Sequence, residues 1–148
     1  MTNEEITPKD VLKDEYSIVL TTFRKNGQGV TTPVWFALKE GKLLLCTWEK
    51  FWKVKRMKNN PNVEFAPAKT RIGSPSKYTV TGKTIRGVAR FLEGEEAEEA
   101  HRLLRKKYGF FKYTLLSSLI SVFSSSGNLV YFEITPIQVL DRWGDGYA

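Results

Sequence analysis

The chain is short of the residue types that build reactive centres. Its 148 residues include one cysteine, Cys46, and one histidine, His101. A single cysteine excludes an internal disulfide framework and suits a reducing compartment. Set among Leu43, Leu44 and Leu45, Cys46 reads as a buried thiol. One histidine with one cysteine excludes a cysteine–histidine zinc site, and no Ser-His-Asp triad can be assembled. His101 falls within a helical pattern between Ala100 and Arg102, where a solvated surface residue is expected rather than a catalytic base. Gly27-Gln28-Gly29 lacks the rest of a dinucleotide fingerprint and precedes a strand pattern, so it reads as a turn. No apolar run is long enough to cross a bilayer. Met1 to Asp14 is polar and acidic and reads as a lead-in without a signal peptide, so a cytoplasmic protein is expected. Repeats and linkers are absent, and one domain spanning 1–148 is expected. Hydrolytic and metal chemistry are poorly served by this inventory. An enzyme built from it needs a cofactor to bring the reactivity.

What the chain has in quantity is positive charge, unevenly placed. The formal net charge is +7, yet residues 50–90 carry eleven Lys or Arg and only one acid, Glu64. With 41% hydrophobic and 13% aromatic residues, the whole reads as globular. The basic stretch opens with Lys50-Phe51-Trp52-Lys53-Val54-Lys55-Arg56-Met57-Lys58, directly after the apolar segment Lys42 to Trp48. Bases among aromatics just past a strand suit an anionic, flat, conjugated ligand. They also suit nucleic acid, and Phe51, Trp52 and Tyr78 offer stacking faces, but no ribonucleoprotein-type motif accompanies them. On a helix, Lys53 and Arg56 lie one turn apart and could grip one phosphate, with helix N-terminal amides adding to the site. Lys55 projects elsewhere, toward a second anion. A solvated basic helix face explains the same residues, and both readings stand at this point.

The expected elements alternate short strands with turns. Thr7-Pro8 has the form of a helix start. Tyr16 to Arg24 reads as a strand, Asn26-Gly27 as a hairpin turn, and Val30 to Lys39 as a second strand interrupted by Pro33. Proline cannot donate to a ladder, so Pro33 marks an edge, a bulge or backbone facing a ligand. Glu40-Gly41 is a turn and Lys42 to Trp48 a third strand. Glu49 to Asn60 reads as a helix, with Val54 and Met57 on one ridge and Lys53 and Arg56 on the next. Asn62 to Ala68 is a fourth strand, Lys69 to Gly82 a polar loop, and Lys83 to Glu93 a fifth strand in which Gly87 permits a close approach. Glu95 to Tyr108 is the clearest helix, acids first and bases last as its dipole prefers, with Gly109 as its stop. Leu115 to Phe123 has an amphipathic helical pattern fit to cover a core or a second subunit, with no flanking Lys or Trp beyond Lys112 to favour a membrane surface. A last strand, Leu129 to Leu140, bends at Pro136. Six short antiparallel strands with two or three helices predict a mainly β fold, a closed or partly closed barrel.

Several segments in order are similar to a known family. They are Ser17 to Gly27, Thr32-Pro33-Val34-Trp35-Phe36, Thr47, and Lys53-Val54-Lys55-Arg56 followed by Asn60-Pro61-Asn62-Val63. The chain resembles the pyridoxamine-phosphate-oxidase-like flavin and deazaflavin proteins, and within them the branch of F420-dependent oxidoreductases, from about Tyr16 to Gly109 and again over Val130 to Val139. The resemblance implies an FMN-binding-like, six-stranded split β-barrel homodimer. It implies coenzyme F420, or alternatively FMN, at the subunit interface. In that family the second strand lies against the tricyclic ring, which maps to Pro33, Val34 and Trp35. Thr47 and Trp48 end the third strand, Thr47 matching a hydroxyl that meets a phosphate or ring oxygen. Lys53 matches the phosphate-binding lysine, with Lys55 and Arg56 beside it. Arg71 matches an arginine often found in the following loop, and Trp143 is placed to reach the partner's site. Many relatives have Ser or Gly before the lysine, where this chain has Phe51-Trp52. The implied activity is hydride transfer to a small conjugated substrate, with neither nucleic acid nor membrane as partner. F420 carries a polyglutamate tail, so the basic stretch favours it over FMN. A non-enzymatic binder of haem or biliverdin is the remaining alternative.

Overall fold

The computed structural model describes residues 12, 17–71, 74–118 and 128–143, with side chains described for all of these except 70–77, 110–118 and 141–143. Seven strands form: β1 (Ser17–Phe23), β2 (Gly29–Lys39), β3 (Lys42–Trp48), β4 (Asn62–Arg71), β5 (Ser74–Val80), β6 (Lys83–Leu92) and β7 (Leu129–Trp143). Among the described segments two helices accompany them, α1 (Trp52–Asn59) and α2 (Gly94–Ser118). Every pairing is antiparallel, in the order β1-β2-β3-β7-β6-β4, and β4 returns to pair with β1. Six strands therefore close a barrel, and β5 adds as a flank along β4.

The turns follow local chemistry. Glu40 (φ 50°) and Gly41 (φ 78°) form the two-residue turn between β2 and β3, a pair of positive φ angles that a following glycine tolerates best. Asn26 and Gly27 sit in a slightly longer loop. It is closed by the Arg24 N–H donating to the Gln28 carbonyl at 2.9 Å, with Gly27 at φ 88°. Inside the barrel, alternate residues meet in one core that includes Ile18, Leu20, Phe36, Leu45, Phe65 and Phe132. Gly87 lies where a Cβ would come within 2.5 Å of Ile134 Cγ2 and 3.0 Å of the Thr135 carbonyl. The close approach expected there is real, and opposite it the β6–β7 register shifts between Arg86 and Gly87, where β7 passes Pro136. The bend expected at Pro136 is thus a bulge in a strand that continues to Trp143.

Three expectations need correction. Lys69 to Gly82 is not a loop: β4 runs on to Arg71, and β5 pairs back onto it from Ser74 to Val80. The polar composition hid a hairpin whose Tyr78 and Val80 pack on Val19, Ala66 and Ala68. Cys46 is half-buried rather than buried. His101 is half-buried too, its Nδ1 2.7 Å from the Tyr131 hydroxyl, so it belongs to the seam between α2 and the sheet rather than to a solvated face. Helix α2 carries Gly109 at φ 83°, ψ 155°, so the expected stop breaks the helix there before it resumes. The Thr7-Pro8 start, and residues 119–123 of the apolar helical pattern, lie outside the described residues. Among the described residues no helix is long and apolar enough to cross a membrane.

The first part of α2 is strapped to the barrel by ions as well as apolar contacts. Glu133, nearly buried on β7, accepts from Arg90 Nε at 2.9 Å, and Arg90 Nη2 also reaches Glu96 of α2 at 2.6 Å. Lys39 Nζ reaches Glu99 at 2.6 Å. The acids of this helix thus make specific contacts besides favouring its dipole.

Candidate functional site

The barrel is split at one place, and strand chemistry says where. The β2–β3 ladder has four pairs, Lys39↔Lys42 to Phe36↔Leu45, and then stops. Beyond it β2 pairs only with β1, and β3 only with β7. Backbone groups alternate sides along a strand. At Phe36 they face the β1 side, one residue past the Ser17↔Trp35 pair. There the Tyr108 hydroxyl of α2 meets both of them. It accepts from the Phe36 N–H and donates to the Phe36 carbonyl, both at 2.8 Å. Counting back by alternation, Pro33 presents its imide nitrogen to the parted side, where no ladder bond is lost. The proline therefore costs β2 nothing at this position.

Side chains at the parting follow the same alternation. Val34 turns into the core. Trp35 turns outward and stacks on Tyr108, ring centroids 4.4 Å apart and 12° from parallel. On β3, Cys46 packs with Trp35 and Tyr131 beneath α2, while Thr47 and Trp48 are buried at the strand's end.

Helix α1 follows directly. Its start, Phe51, has no side-chain cap, and Val54 and Met57 are buried against the barrel. That anchorage leaves Lys53 and Arg56 half-buried on the adjacent ridge. Burial lowers the Lys53 amine from its usual 10.5 to about 8; Arg56 lowers it further and Cys46 opposes. Lys53 is thus close enough to Cys46 of β3 and to Arg56 to feel both. Among the described residues no carboxylate contributes to its titration. Arg56 donates from Nε to the buried Thr22 hydroxyl at 2.7 Å. Burial, then Arg24, pushes it below the ordinary arginine range. Lys55 is exposed, its Nζ 4.7 Å from the centroid of the Trp52 ring.

Outside α1 lies a cleft of about 890 Å³. One wall is Phe23, Arg24 and Lys25 at the end of β1; the other is Trp52, Lys55 and Arg56, with Asn59 and Asn60 at the helix end. Among the described residues its lining has four bases and no acid. Among the described residues no group of three His, Cys, Asp or Glu is placed to hold a metal ion.

This fold has relatives. The sequence matches pyridoxamine 5'-phosphate oxidase over residues 6–142. The chain belongs to the pyridoxamine 5'-phosphate oxidase family. Among solved structures, an F420 reductase superposes with a TM-score of 0.58 at 15% identity, covering 96% of this chain and 100% of that one. HutZ, the haem storage protein from Vibrio cholerae, gives 0.63 at 14%, covering 95% and 96%. An FAD-binding protein from Mesorhizobium loti gives 0.53 at 20%, covering 88% of each. At such identities these likenesses concern the fold. Among curated proteins no sequence matches the chain.

Within the family frame, the expected site residues fall into two places. Pro33, Val34, Trp35, Thr47, Trp48 and Lys53 gather at or near the parting of β2 and β3. Lys55 and Arg56 line the cleft on the far side of α1. The side chains of Arg71 and Trp143 lie outside those described; both positions end strands, β4 and β7. Sequence reasoning missed Phe23, Arg24 and Lys25 as cleft residues. The signal was present, since an Arg-Lys pair directly follows an aromatic strand end, but only folding shows that this hairpin faces α1. It also missed Tyr108, which looks like an ordinary buried helix residue until its hydroxyl is seen on the Phe36 backbone.

Proposed function

We propose that the protein is an oxidoreductase that holds coenzyme F420 at a homodimer interface and serves a small conjugated substrate. The observation that carries this reading is Lys53, a half-buried ammonium with no carboxylate partner among the described residues, set where β2 and β3 part. Such a group is costly in the free protein and is relieved by a bound anion. The donor set fits a phosphorylated coenzyme: Lys53 and the α1 start for the phosphate, the Pro33–Trp35 segment for the ring, Thr47 for an oxygen. When bound, F420 supplies hydride transfer. The chain's own work is to bind and orient. Trp35, packed on Tyr108, walls the parting with an apolar surface, and the excess of bases over residues 50–90 attracts an anionic tail. FMN has the phosphate but no oligocarboxylate tail, so it gains less from that excess.

Titration of the purified protein with each coenzyme, followed by tryptophan quenching, tests the reading. F420 is expected to bind more tightly than FMN, with Trp35 and Trp48 as nearby reporters. Tighter FMN binding overturns the choice of coenzyme, and binding of neither overturns the site. Sedimentation of the loaded protein as a monomer refutes the dimeric arrangement.

A further inference from the structure

We infer that the cleft outside α1 is a separate binding site for a flat conjugated carboxylic acid, its carboxylate clamped by Arg24 and Arg56 and its ring laid on the Trp52 indole. None of the residues at the strand parting lines this cleft. Its volume, about 890 Å³, is far larger than a lone anion needs and lies within the usual range for small-molecule sites.

The two guanidiniums are prepared for an oxyanion. Arg56 is oriented through its Nε by the Thr22 hydroxyl, and Thr22 is 1% exposed, so the anchor is rigid. Arg24 is braced by the Gln28 side chain, Nη1 to Oε1 at 3.2 Å. Among the described residues the lining contains no acid to neutralise either, and the Arg24 charge is felt at Arg56. Planar guanidinium forks select carboxylate geometry better than point charges do. The aromatic half of the ligand is indicated by Trp52, which is 69% exposed although large and apolar. With the Lys55 ammonium on one side of its ring and Phe23 on the opposite wall, it offers a stacking face beside the cations. That this acid is the enzyme's substrate rests on the proposed oxidoreductase reading; the binding itself does not.

The test uses calorimetry on the full chain with 2-naphthoate, its neutral isostere naphthalene-2-carboxamide, and F420. The acid is expected to bind roughly tenfold or more tightly than the amide, as a charge-assisted clamp requires. Arg24→Gln is expected to weaken 2-naphthoate by roughly tenfold or more and leave F420 affinity within about twofold. Trp52→Ala is expected to weaken 2-naphthoate severalfold. Arg24 and Trp52 are exposed, so both variants should fold. Equal binding of acid and amide, or no effect of Arg24→Gln, overturns the proposal. So does competition between 2-naphthoate and F420 with Arg24→Gln weakening both, because the cleft then holds the coenzyme's own carboxylates. If 2-naphthoate behaves as expected while neither F420 nor FMN binds, the clamp stands and the coenzyme reading falls.

Discussion

Lys53 should make the free protein less stable than it need be, and Lys53→Met measures by how much. The fold lowers this amine from 10.5 to about 8, chiefly by burial. A tenfold change in proton affinity corresponds to about 1.4 kcal/mol, so the charged form costs at most about 3.4 kcal/mol at pH 7. Lys53 is only half-buried, and solvent screening reduces that to about 2 kcal/mol. Methionine keeps the length and the apolar stem without the charge. Lys53→Met should therefore raise the melting temperature of the free protein by roughly 4–8 °C at pH 7, given the usual conversion for a chain of this size. The pH dependence provides the control. Because the folded amine titrates at about 8 and the unfolded one at 10.5, the unfolded chain binds more protons between those values. Wild-type stability should rise with pH across that window, and the variant should lack this rise. Affinity for a phosphorylated coenzyme should run the other way, falling as pH rises through about 8, since the anion needs the ammonium. At pH 7, Lys53→Met and Lys53→Ala should each bind coenzyme roughly tenfold or more weakly. A variant no more stable than wild type, with unchanged coenzyme affinity, would refute the account of this lysine.

Further perturbations test the frame around the site. Tyr108→Phe keeps the stack on Trp35 but removes the hydroxyl that satisfies both Phe36 backbone groups. It should cost about 1–3 kcal/mol in urea unfolding and weaken coenzyme binding, and a loss under about 0.5 kcal/mol would contradict that role. Gly87→Ala puts a methyl 2.5 Å from Ile134 Cγ2 and 3.0 Å from a backbone carbonyl, so a loss of about 1–3 kcal/mol is expected by the same measurement. Thr22→Val releases Arg56 from its anchor and should weaken 2-naphthoate severalfold; unchanged binding would show that the anchor is dispensable.

Most strands were legible because their residues alternate between core and surface and are bounded by turns with a conformational reason, such as Glu40-Gly41 and Asn26-Gly27. Strand β5 was not. Ser74-Pro75-Ser76-Lys77 shows no apolar alternation in sequence, and its pairing depends on an overlong β4 that reads from sequence as ending at Ala68. His101 was misjudged for a similar reason. Its neighbours in sequence are polar, but its neighbour in space is Tyr131 of β7. At the site, the basic helix and Pro33 were plain in the sequence, whereas the end of the β2–β3 ladder at Phe36↔Leu45 was not, because ladders are settled by pairs far apart in the chain.

By itself the sequence determined the antiparallel barrel, the helix after β3, and the concentration of positive charge there. Each of these follows from local periodicity, turn chemistry and charge counted over neighbouring residues. Only the tertiary structure decided that Lys53 and Arg56, one turn apart on α1, lie in different surroundings: one within reach of Cys46 on β3, the other in a cleft it shares with Arg24. The reason is geometric. Anchoring a short helix by Val54 and Met57 fixes which side of it each neighbouring side chain must face, and that anchorage exists only once the barrel has closed.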